Sequence, residues 1–263
     1  GTAIGDASVG TDTLNNVTRV RSSSFADTLS GTDGTDFEEF QGRGGNDVID
    51  GRGGTSDQVR YSDAPTGVTV NLSTGVAIDG FGGTDTLSGI ERIRSSDNAD
   101  VLTGDANDNR FRSQGGADTI DGGGGTDTVD YLTSFNEPNV GVTVNLTSGL
   151  ATDAGGATDT LTNIENVQGT KFNDTITGNS VANSLSGLDG VDTFVGSAGN
   201  DILRGSSNFE EFATNYSVAT YSTGTLGLTV TGSSTSGTVV SSEFGPDTLI
   251  NIDALIGGSG ADT

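Results

Sequence analysis

A nine-residue beat constrains this chain more than any other feature. Asp100, Asn109, Asp118 and Asp127 recur at steps of nine, and each is followed two residues later by an apolar side chain: Leu102, Phe111, Ile120 and Val129. A second run repeats the pattern with Asp174, Asn183, Asp192 and Asp201, followed by Ile176, Leu185, Phe194 and Leu203. Glycines keep step there as Gly178, Gly187, Gly196 and Gly205. A third run, Asp27, Asp36, Asp47 and Asp57, is looser, with steps of 9, 11 and 10. Each nonapeptide reads as a tight turn followed by a short strand with one inward apolar residue. Such a repeat buries its apolar face only by stacking on its neighbours, which predicts a solenoid.

A coarser repeat overlies the fine one. Asp-Thr-Leu is followed by another Asp fifteen residues after its own, in the pairs Asp12/Asp27, Asp85/Asp100, Asp159/Asp174 and Asp247/Asp262. An apolar triplet at spacing three lies between them, as in Leu87, Ile90 and Ile93 or Leu161, Ile164 and Val167. Ahead of the second and third markers the chain alternates with period two, over 68–72 and 142–146, and Leu228-Thr229-Val230 is a shorter copy. Alternation of this kind predicts strands. The whole of 1–263 is therefore expected to form one continuous repeat solenoid, with units at about 10–82, 83–157 and 158–245 and a partial unit at 246–263. The pattern runs to both ends, as in a segment of a longer protein.

Composition says what must hold such a chain together. Acidic residues number 36 against 11 basic, a formal charge of −25, and 43 of 263 residues are glycine. Such a chain leans toward disorder unless something neutralises it. There is no Cys, so neither disulfides nor thiolate metal sites are available, and no His, which removes the usual general base. The acidity argues against nucleic-acid binding, and no apolar run approaches the roughly 18 residues of a membrane span.

The segment Gly122-Gly123-Gly124-Gly125-Thr126-Asp127-Thr128-Val129-Asp130 shows the chemistry. Glycines permit a tight turn, the turn points carbonyl oxygens inward, and Asp127 adds a carboxylate. Carbonyl and carboxylate oxygens are what Ca²⁺ takes, about six to eight at a time. Stacked Asp residues would repel without the ion. This segment resembles the RTX, or haemolysin-type calcium-binding, nonapeptide family, whose consensus is Gly-Gly-x-Gly-x-Asp-x-(apolar)-x. Residues 42–50 match it except for Arg43 at the second glycine, residues 113–121 match from Gly116 onward, and 196–204 keep Gly196, Gly199, Asp201 and Leu203. The resemblance implies an all-β, right-handed parallel β-roll with Ca²⁺ in the turns, secreted from a bacterium unfolded and folded by external calcium. On that basis the metal-ligating candidates are Asp27, Asp36, Asp47, Asp100, Asp118, Asp127, Asp174, Asp192 and Asp201, with Asp85 and Asp159 of the markers added. Asn109 and Asn183 replace the ligand Asp, which weakens those turns, and Thr55-Ser56 adds a residue before Asp57.

Three further features stand out. Phe37-Glu38-Glu39-Phe40 recurs as Phe209-Glu210-Glu211-Phe212 where the rhythm breaks, and reads as a bulge with packed Phe and solvated Glu, or else as a lateral contact or extra cation site. Arg19/Arg21 and Arg92/Arg94 stand on one face of equivalent strands, for local charge balance or for docking an acidic neighbour or polysaccharide. Tyr61, Tyr131 and Tyr221 each precede an alternating strand and suit core packing. Two function classes fit. One is a non-catalytic structural or adhesive module of a bacterial surface protein: an S-layer, filament or adhesin, with self-assembly or cell-surface polysaccharide as partner. The other is an ancillary calcium module of a secreted protease, lipase or polysaccharide epimerase whose catalytic domain lies elsewhere.

Overall fold

The computed structural model describes residues 2–4, 11–13, 17–132, 140–206, 216–232 and 236–263. Among the described residues every regular element is a strand. The chain divides into two compact units, Gly1–Asp127 and Thr128–Thr263.

In the first unit successive nonapeptides alternate between two sheets. Thr28–Ser30 pairs in parallel with Val48–Asp50, and Val101–Thr103 with Thr119–Asp121, in one sheet. In the other, Arg19–Arg21, Glu39–Gln41, Gln58–Arg60, Arg92–Arg94 and Arg110–Arg112 run side by side. Most strands have three residues and turn the central one inward, so Leu29 faces Ile49, Leu102 faces Ile120 and Ile93 faces Phe111 in register. Those side chains are buried and form the core between the sheets. Each is worth about 1.5–3 kcal/mol of burial. This is a parallel β-roll, and it is repeated in the second unit by Thr175–Thr177 with Thr193–Val195 and by Ser184–Ser186 with Ile202–Arg204.

The segments between the nonapeptide runs depart from this pattern. Thr69–Asn71, Val76–Ile78 and Thr84–Ser88 form an antiparallel three-stranded meander, with Val70 opposite Ala77 and Ala77 opposite Asp85. Its last strand also pairs in parallel with Val48–Asp50 and its first with Val101–Thr103. One sheet thus gains two strands that the other lacks. In the second unit, Thr143–Asn145, Leu150–Thr152 and Thr158–Thr162 make a second meander. A third, Thr229–Gly232, Ser236–Ser241 and Gly245–Ile250, belongs to the opposite sheet of that unit. The alternating segments are therefore strands as expected, but each folds back on itself where a further coil of the roll would run on.

Candidate metal centre

The turn before each roll strand ends on a carboxylate or amide, and these side chains form two buried files. At most of the aspartates one oxygen accepts the backbone N–H of the file member one coil earlier, whereas Asp100 and Asp174 take the N–H of Val68 and Val142 ahead of a meander strand. Asp47 Oδ1 takes the N–H of Asp27 (2.8 Å), Asp85 that of Asp47 (3.0 Å) and Asp118 that of Asp100 (2.9 Å). In the second file Asp57 takes the N–H of Glu38 (3.1 Å), Glu91 that of Asp57 (3.0 Å) and Asp127 that of Asn109 (2.7 Å). The second unit repeats this with Asp192 under Asp174, Asp201 under Asn183 and Asp247 under Asp201, all between 2.9 and 3.0 Å. The first glycine of the motif is required because the carboxylate folds back over it: a Cβ on Gly42 would collide with Asp47 Oδ2, and one on Gly187 with Asp192 Oδ2.

What the second oxygen does separates the aspartates into three kinds. At Asp27, Asp100, Asp174 and Asp201 a Ser or Thr four residues earlier takes it into the turn's own hydrogen bonds. Ser23 donates N–H and hydroxyl to Asp27 Oδ2 (3.0 and 2.7 Å), Ser96 donates its N–H to Asp100 Oδ2 (2.9 Å) and Thr170 its N–H to Asp174 Oδ2 (2.7 Å), while the Ser197 hydroxyl reaches Asp201 Oδ2 (2.8 Å). At the marker aspartates Asp85, Asp159 and Asp247 a tyrosine takes it. Tyr61 donates its hydroxyl to Asp85 (2.9 Å), Tyr131 to Asp159 (3.0 Å) and Tyr221 to Asp247 (2.6 Å). Each of these tyrosines leaves a strand of one sheet and reaches across the core to a meander in the other. At Asp47, Asp57 and Asp192 the second oxygen is buried without a hydrogen-bond partner. Their turns carry no hydroxyl at that place: Arg43 and Leu188 stand four residues before Asp47 and Asp192, and Arg52 stands five before Asp57 because of the added residue, with φ of 69°, 70° and 64°.

An unpartnered buried carboxylate oxygen is expensive unless a cation meets it. Burial accordingly pushes Asp47 and Asp192 up to about 7, and Asp57, Asp85, Asp174 and Asp247 up to about 6. Neighbouring carboxylates add to the rise at Asp47, where Asp85, Asp27 and Asp79 are close, and at Asp192, where Asp174 and Asp189 are. Among the described residues no three acidic side chains form a ready cage, so an ion held here must draw on backbone carbonyls as well. That donor set, hard oxygen throughout, fits calcium.

Two sequence expectations change. Asp36 is exposed and outside the files; Glu38 stands in its place, accepting the N–H of Thr32 (2.8 Å), with Phe40 as the inward residue. The two-residue insertion moves the register, so counting by nine from Asp27 lands on the wrong acid. Glu38 and Glu39 are correspondingly buried, at 5% and 8% exposure, where solvated glutamates were expected. The copy at 209–212 lies outside the described residues. Asp57 keeps its file position despite the added residue. The tyrosines are in the core as expected, while the hydrogen bonds from their hydroxyls and the buried Asp79 lie outside the nine-residue pattern.

The fold and these files define a calcium-binding β-roll module. The chain carries RTX calcium-binding nonapeptide repeats: the model of that family matches four copies, over residues 94–129, 159–180 and 177–208. RTX nonapeptide repeats bind calcium. No curated protein matches the chain. Among solved structures, the extracellular lipase LipA from Serratia marcescens aligns with 94% of this chain at 16% identity and a TM-score of 0.21. The chain spans 40% of that lipase's length.

Proposed function

We propose that this chain is a calcium-folded structural or adhesive module of a secreted bacterial surface protein, without catalysis of its own. The calcium requirement rests on the buried carboxylate files. The adhesive reading is supported by the outward face of the arginine-bearing sheet in the first unit. Its five strands carry Arg19, Arg21, Arg60, Arg92, Arg94, Arg110 and Arg112 beside their inward residues, which is 7 of the 11 basic residues of the chain. Arg60, Arg94 and Arg112 stand in one cross-strand row, with strands about 4.8 Å apart. Burial lowers the affinity of Arg94 for its proton, and the charges of Arg60 and Arg112 lower it further. Glu39 and Asp63 offset one end of the face through Arg21–Asp63 (2.7 Å) and Arg60–Glu39 (3.5 Å). A concentrated basic face on a chain of charge −25 suits an extended anionic partner, and a uronate-bearing cell-surface polysaccharide has that chemistry.

The test is titration of the calcium-loaded chain with hyaluronan oligosaccharides against neutral dextran. Binding of the uronate polymer alone is expected, weakening as salt rises, and weakening about tenfold in Arg94→Gln/Arg112→Gln. Equal binding of both polymers, or none, would remove the polysaccharide reading.

A further inference from the structure

Asp79 lies in the loop of the first meander, six residues before the marker Asp85, and is fully buried. Its Oδ1 accepts three successive backbone N–H groups, from Phe81 (2.7 Å), Gly82 (2.9 Å) and Gly83 (2.9 Å). Its Oδ2 has no hydrogen-bond partner. Asp47, 1% exposed, is in the same state, with Oδ1 bonded to the Asp27 N–H and Oδ2 unpartnered. The Gly42–Asp47 turn and this loop meet at Gly83, where a Cβ would collide with Gly45 O and come within 2.6 Å of Asp79 Oδ2. The glycine thus leaves a carbonyl oxygen and a bare carboxylate oxygen flanking one small space. Asp85, by contrast, is fully engaged, with Asp47 N–H on Oδ1 and the Tyr61 hydroxyl on Oδ2.

We propose that a calcium ion sits between the Gly42–Asp47 turn and the 79–83 loop, ligated by Asp47 Oδ2, Asp79 Oδ2 and the Gly45 carbonyl, with Asp85 excluded by Tyr61. Tyr61 neutralises the need of the marker carboxylate, and Asp79, which lies outside the nine-residue motif, supplies the missing charge. Two buried carboxylate oxygens without hydrogen-bond partners are costly, and a hard cation taking both together with a carbonyl removes that cost. The third meander provides an internal contrast. Six residues before its marker Asp247 stands Ser241, and the nearby Glu243 is turned to Thr225 and Leu226. No equivalent ion is expected there.

This inference rests on the calcium reading, and the experiment separates the two. Bound calcium is counted by equilibrium dialysis on the full chain, on Asp79→Asn and on Asp85→Asn. Asp79→Asn should bind one ion fewer than wild type, while Asp85→Asn should bind the wild-type number. An unchanged count in Asp79→Asn, or a loss confined to Asp85→Asn, would overturn the site. A wild type that binds no calcium would instead overturn the calcium reading itself. Should Asp79→Asn fail to fold, anomalous scattering from wild-type crystals grown with calcium decides: an ion at about 2.3–2.6 Å from both Asp47 and Asp79 is expected, and its absence there refutes the site.

Discussion

The turns ending at Asp47 and at Asp174 look alike in sequence and do different work. Both open on a glycine that a Cβ would drive into the carboxylate, and both place the aspartate in a buried file. At Asp174, Thr170 donates its N–H to Oδ2 (2.7 Å) and its hydroxyl to Oδ1 (2.9 Å), and Val142 N–H adds a third bond (2.8 Å). At Asp47, Arg43 occupies the equivalent place in a left-handed conformation, φ 69°, and Oδ2 is left bare. One residue therefore decides whether the carboxylate closes the turn by hydrogen bonds or waits for a cation. The presence of the motif aspartate alone does not distinguish the two.

The sharpest way to break this comparison is to remove each carboxylate in turn. Asp174→Ala strips three hydrogen bonds from buried donors and should cost on the order of 3 kcal/mol with or without calcium. Asp47→Ala should lower the melting temperature in calcium but not in EDTA, where it removes an unfavourable buried charge. Thermal unfolding of both variants under both conditions checks this. Equal behaviour of the two would erase the distinction.

Acidity probes the same difference. Asp47 and Asp192 rise from 3.8 to about 7 on burial, so between those pH values the folded metal-free chain holds protons that the unfolded chain has released. Stability without metal must then fall as pH rises through that window, and be greatest at its acid end. Calcium needs the ionised carboxylates, so its stabilising effect runs the opposite way. Calorimetry in EDTA is expected to give a higher melting temperature at pH 5 than at pH 8, with the calcium-induced increase larger at pH 8. A metal-free chain that is more stable at pH 8 would contradict the burial of these groups.

The smallest expected effects sit at the deciding residue itself. Thr170→Val removes one hydroxyl bond to Asp174 and should cost about 1 kcal/mol in EDTA. Arg43→Gly relieves a left-handed non-glycine residue and should stabilise the chain by up to about 1 kcal/mol, measured by urea unfolding in calcium. Effects of opposite sign would show that the residue four before the aspartate does not set the turn's state.

Much of this was legible in the sequence. The inward residues Leu102, Phe111, Ile120 and Val129 follow from the nine-residue step, because a roll strand turns one side chain inward per repeat. The step failed at Asp36, since Phe37–Phe40 inserts two residues. The inward series Leu29, Phe40, Ile49 and Val59 would have pointed to Glu38, two residues before Phe40. The meanders were visible as alternating strands but not as antiparallel hairpins, although Asn71 to Gly75 and Asn145 to Gly149 are turn-like stretches with left-handed glycines at their ends. The tyrosine–aspartate pairs could not be read from periodicity. Their separations are 24, 28 and 26 residues, and they join opposite sheets across the core.

The central claim is that buried carboxylates make folding depend on calcium. Far-UV circular dichroism of the chain with saturating calcium and after exhaustive chelation with EDTA at pH 7.5 tests it most directly. A β signal whose thermal melting midpoint is far lower in EDTA than in calcium, and recovers when calcium is restored, is the predicted result. The same midpoint in both solutions would contradict it.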